Sequence, residues 1–188
     1  MKKQISHIVN IQTGVFAKPE ERGDVVYLQA KHFDENGNLQ TSLYPDIISD
    51  NITNRHMLKV GDVLFAAKGS KNFAAVLEKH NLPAVASTSF FVLRITDPEL
   101  LPDYLAWFLN NPATQVLLKN KARGTSIPSI RKTDLDEMKI TIPSIEKQKL
   151  IVRLTMLANE EVAVRYQIAN LKKKFIEQEI LKEINRSV

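Results

Sequence analysis

No cysteine occurs anywhere in this 188-residue chain. Disulfides and thiolate chemistry are therefore excluded, and a reducing compartment suits the sequence. Glycine is scarce, with six residues, and none of them builds the Gly-rich fingerprint that cradles a dinucleotide. Gly69-Ser70-Lys71 superficially resembles a phosphate loop, but the order is wrong and the Gly-Lys-Ser/Thr ending is missing. The four histidines, His7, His32, His56 and His80, are scattered without an i,i+4 pair, which gives a zinc site little support. No apolar run approaches membrane length, and Met1 to Thr13 interleaves polar residues where a signal peptide would be apolar, so a cytoplasmic setting is expected. Beyond Pro143, proline and glycine are both missing.

That last absence marks the most regular stretch of the chain. Ser144 to Arg186 reads as one long amphipathic helix, with Ser144 as N-cap and Glu146 in the first turn. Leu150, Leu154, Leu157, Val164, Ile168, Leu171 and Phe175 recur in steps of three and four, the seam of a coiled coil in which Glu161 takes one apolar slot. Past Phe175 the stripe drifts to Ile176, Ile180, Leu181 and Ile184, as a 3.6 period would. At 1.5 Å per residue the rod is roughly 60 Å long and overhangs any domain the preceding residues could build. The seam is therefore expected to be a dimer interface, in preference to a helix folded back on its own domain. Glu160 and Glu161 precede its middle while Lys172, Lys173 and Lys174 follow it. Antiparallel pairing of two copies near Gln167 sets acids against bases, where parallel pairing would set like charges together.

Residues 1–143 read as a separate β-rich domain, giving an α+β fold with short helices, followed by the helix over 144–188. Ile8 to Phe16 and Val25 to Leu28 look like a strand pair, and His32 to Asn38 carries an Asn-Gly turn. Tyr44-Pro45 and Ser49 to Thr53 suggest irregular surface chain. Gly61-Asp62 turns into Val63 to Ala67, an apolar run expected to be a buried strand; Phe73 to Leu77 resumes the sheet, and Ala84 to Ile95 reads as one further strand. Helices are expected over Tyr104 to Leu109 and from Pro112 to Lys119, with Trp107 and Phe108 as core residues. Thr133 is expected to cap a short turn, and Met138 to Pro143 alternates as a strand.

The formal net charge of +5 permits a polyanionic partner without identifying one. The charge is concentrated, however. Lys119, Lys121, Arg123, Arg131 and Lys132 include no acid between them and flank Gly124-Thr125-Ser126-Ile127-Pro128-Ser129-Ile130. Such a loop suits a nucleic-acid backbone: cations neutralise phosphates, the hydroxyls of Thr125, Ser126 and Ser129 donate hydrogen bonds, and glycine permits close main-chain approach. The bland alternative is a solvated basic face. Catalytic patterns are weak. Asn110-Asn111-Pro112-Ala113 falls short of the Asn-Pro-Pro-Tyr type of signature of adenine methyltransferases, and Asp103 with Glu137-Met138-Lys139 is a chance-level version of a metal-nuclease string. No catalytic residue and no metal ligand is assigned.

Leu58-Lys59-Val60-Gly61-Asp62-Val63-Leu64-Phe65 with Lys68-Gly69, the Tyr104-Leu105 helix, Gly124 to Ile130 with Leu135, and Ile140 to Ile151 leading into a long helix follow one another in the order of a known family. Together they resemble the DNA-specificity (S) subunit of type I restriction-modification systems. The resemblance covers one target-recognition domain and one spacer helix, where full-length members carry two such units, so it implies a half-subunit that finds its second half in another chain. Ile142-Pro143-Ser144-Ile145-Glu146-Lys147-Gln148 departs from the family's consecutive prolines followed by Glu-Gln. The resemblance implies a non-catalytic reader of double-stranded DNA that directs a separate methyltransferase subunit, and in restricting systems a nuclease subunit, to a bipartite target. S-adenosylmethionine, ATP and magnesium then belong to those partners, and this chain holds no cofactor. By matching position, Lys68, Ser70, Lys71 and Asn72 join Arg123, Thr125, Ser126, Ser129, Arg131 and Lys132 as the residues implied to face DNA, with Lys31 and Arg55 as further additions. Arg123 and Arg131 can each give two hydrogen bonds to guanine and Asn72 to adenine, while Lys68, Lys71 and Lys132 suit phosphate.

Two rival readings stand beside this one. The same recognition fold could serve a regulatory or phage protein that binds or blocks the methyltransferase, or the chain could be a coiled-coil adaptor with merely solvated basic loops.

Overall fold

Val63, Leu64, Phe65 and Ala66 form a strand in which every side chain is buried. A continuous apolar run requires this, because both faces of the strand must then be covered. The computed structural model that shows it describes residues 1–188 apart from 21, 35, 36, 40–42, 50, 51, 70, 125, 126, 187 and 188. Two compact units result, Met1–Gln148 and Lys149–Val188.

The strands of the first unit are β1 (Lys2–Gln4), β2 (Val9–Thr13), β3 (Val26–Leu28), β4 (Val63–Ala66), β5 (Ala74–Val76), β6 (Ala84–Ala86), β7 (Phe90–Ile95) and β8 (Lys139–Thr141). Its helices are α1 (Pro102–Asn110), α2 (Pro112–Lys121) and the short α3 (Lys132–Asp136). Four strands make an antiparallel sheet in the order β2-β7-β4-β5, β1 pairs with β8, and β3 pairs in parallel with β6. The fold is thus α+β, as expected.

On one side of the main sheet Phe33, Phe73 and Phe90 meet with ring centroids 5.5–6.0 Å apart, tilted and edge-on as aromatic quadrupoles prefer. Buried Asp62 accepts hydrogen bonds from Arg94 Nε at 2.8 Å, from Arg94 Nη2 at 2.6 Å and from the Lys59 amide at 2.9 Å. This charge pair ties the turn before β4 to β7, and the carboxylate raises the Arg94 pKa.

Several local expectations need correction. β2 does not pair with β3: it lies against β7, with Ile11 opposite Leu93, because the longer apolar alternation of β7 offers more buried surface. Ala84 to Ile95 is two strands, since Ser87-Thr88-Ser89 turns the chain. Ile47, between the two runs read as surface, is buried with Val25, Tyr27 and Val85. Trp107 and Phe108 are only half-buried; the core side of α1 is Tyr104, Leu105, Ala106 and Leu109, and Trp107 stacks on Tyr104 at 5.1 Å. α3 is capped from Arg131, not Thr133. Gly37 has the positive φ of a turn residue, while Asn36 of that turn lies outside the described residues.

The fourth helix, α4, runs 42 residues from Ile145 to Arg186. Its start is secured by Gln148, which is fully buried: its Oε1 accepts from the Leu101 amide at 2.9 Å, and its Nε2 donates to the carbonyls of Glu99 at 2.6 Å and Pro143 at 2.9 Å. Ser144 Oγ accepts from the Lys147 amide at 3.5 Å. In the second unit the helix is exposed along most of its length and carries the i,i+4 pair Arg165–Glu161 at 2.6 Å. No helix among the described residues is long and apolar enough to cross a membrane.

Candidate nucleic-acid interface

Because β7 is antiparallel to both β2 and β4, the end of β2, the start of β7, the end of β4 and the start of β5 lie at one edge of the sheet. The turn Ser87–Ser89 occupies its middle. From there backbone hydrogen bonds run outward: the Ala67 amide donates to Ser89 at 2.9 Å, and the Ile130 amide donates to Ala67 at 2.9 Å. The Gly69 amide donates to Pro128 at 2.9 Å, and Arg123 and Ser129 exchange two bonds of 2.8 and 3.1 Å. Lys68, Ser129 and Arg123 are consequently adjacent rungs of a small ladder. The two basic loops, more than fifty residues apart in the chain, are one surface.

Glycine is what allows this pairing. Gly69 and Gly124 have φ of +108° and +105°, a region that disfavours any side chain. A Cβ on Gly124 would also lie 2.8 Å from the Ile127 carbonyl oxygen.

The side chains on this surface divide into two groups. Lys68, Arg123 and Lys132 are exposed and have no side-chain partner among the described residues, and Lys71 is exposed on the same loop. Others are committed to the protein. Asn72 Nδ2 donates to the Ala66 carbonyl at 2.8 Å, closing its own loop. Arg131 donates from Nε and Nη2 to buried Asp134 at 3.0 and 2.8 Å, and its amide also donates to Asp134 at 3.0 Å. These bonds, the side-chain one first, hold the Asp134 carboxyl below its ordinary pKa and raise that of Arg131. Ser129 is half-buried and joins through its backbone; Ser70, Thr125 and Ser126 lie outside the described residues.

The surface extends beyond these two loops. The Ser87 amide donates to Leu28 at 2.8 Å, which brings the turn bearing exposed Lys31 to the same edge. Arg55 is exposed, its carbonyl accepting from Gln12 at 3.1 Å and its Nε donating to His56 at 3.1 Å. Lys121 instead pairs with Glu137 at 3.5 Å. No cluster of metal-ligating side chains exists among the described residues. Asp134 and Gln148 escaped the sequence reading. An acid three residues after Arg131 signals the first, and the family's Glu-Gln pattern at the helix start, displaced here by Lys147, is the one signal of the second.

Exposed cations on glycine-hinged, backbone-paired loops, carried by an α+β unit and followed by a long helix, define a class: a domain with a basic loop surface of the kind suited to a polyanion. The family is specific. Residues 1–161 match the family described as type I restriction modification DNA specificity domain, and the chain belongs to it.

Solved structures agree on the fold. The HsdS subunit from Thermoanaerobacter tengcongensis is 22% identical with a TM-score of 0.65, over 93% of this chain and 46% of that one. The type I restriction-modification S subunit from M. genitalium is 20% identical with a TM-score of 0.58, over 85% of this chain and 39% of that one. A structure described under complex assembly and conformational transition of the type I R-M system is 19% identical with a TM-score of 0.63, over 87% and 39%. The chain therefore spans less than half the length of the solved chains it resembles. No curated protein matches it.

Proposed function

We propose that this chain is the sequence-specific DNA-recognition component of a type I restriction-modification complex, non-catalytic itself, which directs a separate methyltransferase subunit, and a restriction subunit where one is present, to a bipartite target. The observation that carries the reading is the joined loop surface: two basic segments paired rung by rung, with Lys68, Arg123 and Lys132 exposed and without a side-chain partner among the described residues, in a chain of the DNA-specificity family. On this reading Arg123 is the first candidate for a guanine contact, Lys68 and Lys132 meet phosphate, and Asn72 and Arg131 shape the loops that present them.

The second unit is proposed to supply symmetry. Leu150, Leu154, Leu157, Val164, Ile168, Leu171 and Phe175 are each 43–65% exposed, an apolar seam of the kind that associates. Two copies paired antiparallel about Gln167 set Glu160 opposite Lys174 and Glu161 opposite Lys173, and place one recognition domain at each end of the rod. Two identical readers so related prefer an inverted repeat with an unread spacer.

Selection of bound duplexes from a randomised library by the full chain tests the reading; an enriched inverted repeat is expected, and binding indifferent to sequence refutes it. Adding a methyltransferase subunit should produce adenine methylation at the enriched site, which separates a specificity subunit from a blocker. The chain alone, given magnesium, ATP and S-adenosylmethionine, should neither cleave nor methylate DNA.

A further inference from the structure

Phe16 is 77% exposed between two residues that point into the protein, Val15 and Ala17, both packed against the buried cluster of Val25, Tyr27, Ile47 and Val85. A single exposed apolar side chain is ordinary. The backbone around this one is not. The hydroxyl of Tyr27, itself 4% exposed, donates to the Val15 carbonyl at 3.0 Å and accepts from the Ala17 amide at 3.3 Å. One buried hydroxyl thus clamps the chain on both sides of Phe16. On the preceding side Gly14 is wedged so closely that a Cβ would lie 2.2 Å from the Ser87 carbonyl oxygen, and the Gly14 and Val15 amides donate to Phe90 at 3.1 Å and Ala86 at 2.8 Å. An arch fixed at three points holds an aromatic ring out to solvent.

The arch stands at the edge that carries the basic loops. Val15 forms a bridge with Ser87, and Ala67, the residue before Lys68, is hydrogen-bonded to Ser89. Phe16 and Lys68 each follow a residue anchored on the same three-residue turn. The residues before them, Val15 and Ala67, bond to the two ends of that turn, so both side chains are carried on chain leaving one three-residue segment. A ring that approaches DNA beside a row of cations neutralises no phosphate; its chemistry suits a base, through the thymine methyl or by wedging against an unstacked base step.

We propose that Phe16 is a specificity-determining residue that makes an apolar contact with a base inside the target half-site. This rests on the DNA-recognition reading above and deepens it. The clamped backbone carries the argument, because a side chain presented from fixed main chain spares the entropy of ordering that segment on binding.

The test uses the full chain and the duplex it enriches from a randomised library, with binding titrated over a series of salt concentrations. Phe16→Ala is expected to weaken binding to that duplex by about tenfold or more, leave binding to bulk DNA unchanged and leave the salt slope unchanged, since no counterion-releasing contact is lost. Phe16→Tyr, which keeps the ring, is expected to retain most of the affinity. Replacing single thymines by deoxyuridine then separates the two chemistries: a position at which the parent loses affinity and Phe16→Ala does not marks a methyl contact, and no such position marks a wedge. Melting curves matching the parent show the variants folded. Phe16→Ala binding the enriched duplex as tightly as the parent overturns the proposal while leaving the DNA-recognition reading intact; a parent that enriches no sequence overturns that reading itself.

Discussion

Replacing Gln148 by alanine perturbs a fully buried polar side chain that joins the start of α4 to the segment before α1. The parent side chain satisfies the Leu101 amide and donates to two carbonyls, of Glu99 and Pro143. Removal leaves a buried N–H without an acceptor, at a cost of about 1–3 kcal/mol, with smaller penalties for the two carbonyls and a further loss from the small cavity. About 3–5 kcal/mol in total is a large share of a domain's stability, and for a unit of this size it lowers Tm by roughly 6–20 °C. Gln148→Glu refines the test. One carboxylate oxygen can still accept from Leu101, but the other faces two carbonyl oxygens and can only be accommodated protonated. Its folded pKa is therefore raised above the unfolded value of about 4.3. The resulting penalty is absent below that value, grows as pH rises towards the folded pKa and is complete above it. Thermal melts of parent and both variants, followed by circular dichroism at several pH values, give the answer. An alanine variant melting within about 2 °C of the parent, or a glutamate variant whose deficit is the same at pH 4 and pH 8, would refute the reasoning.

Ile168→Glu, which places a charge near the proposed two-fold axis, should yield a folded monomer with weakened binding to the full inverted repeat; light scattering with a binding titration checks both, and a variant that stays dimeric defeats the antiparallel pairing. Replacing Lys68 and Arg123 together by alanine should weaken DNA binding and flatten the dependence of log affinity on log salt by up to about 2, measured by titration at several ionic strengths. Asp134→Asn should cost stability at neutral pH. The Arg131 hydrogen bonds depress the Asp134 pKa, so their contribution is present above the ordinary carboxylate value and is lost as pH falls through the lower folded one, and the gap between the two melting curves should narrow below about pH 4.

Much of the architecture is decided by near neighbours in sequence. The long helix is legible because a run without proline or glycine has no competing structure, and its apolar period is local. Val63 to Ala66, the two proline-started helices and the alternation around Ile140 are legible for the same reason. The basic character of 119–132 is equally a property of composition. What local pattern could not decide is which strand lies beside which. β2 meets β7, some eighty residues away, rather than β3, its neighbour in the chain, because pairing follows the buried area available across the whole unit. The roles within the site were decided there too. Arg131 and Arg123 are the same residue type in one loop, yet Asp134 occupies the first and nothing described occupies the second. The bonds from Gln148 to Glu99 and Leu101 join segments nearly fifty residues apart, and a hydrogen bond depends on where the chain brings its partner, which no window of neighbouring residues contains.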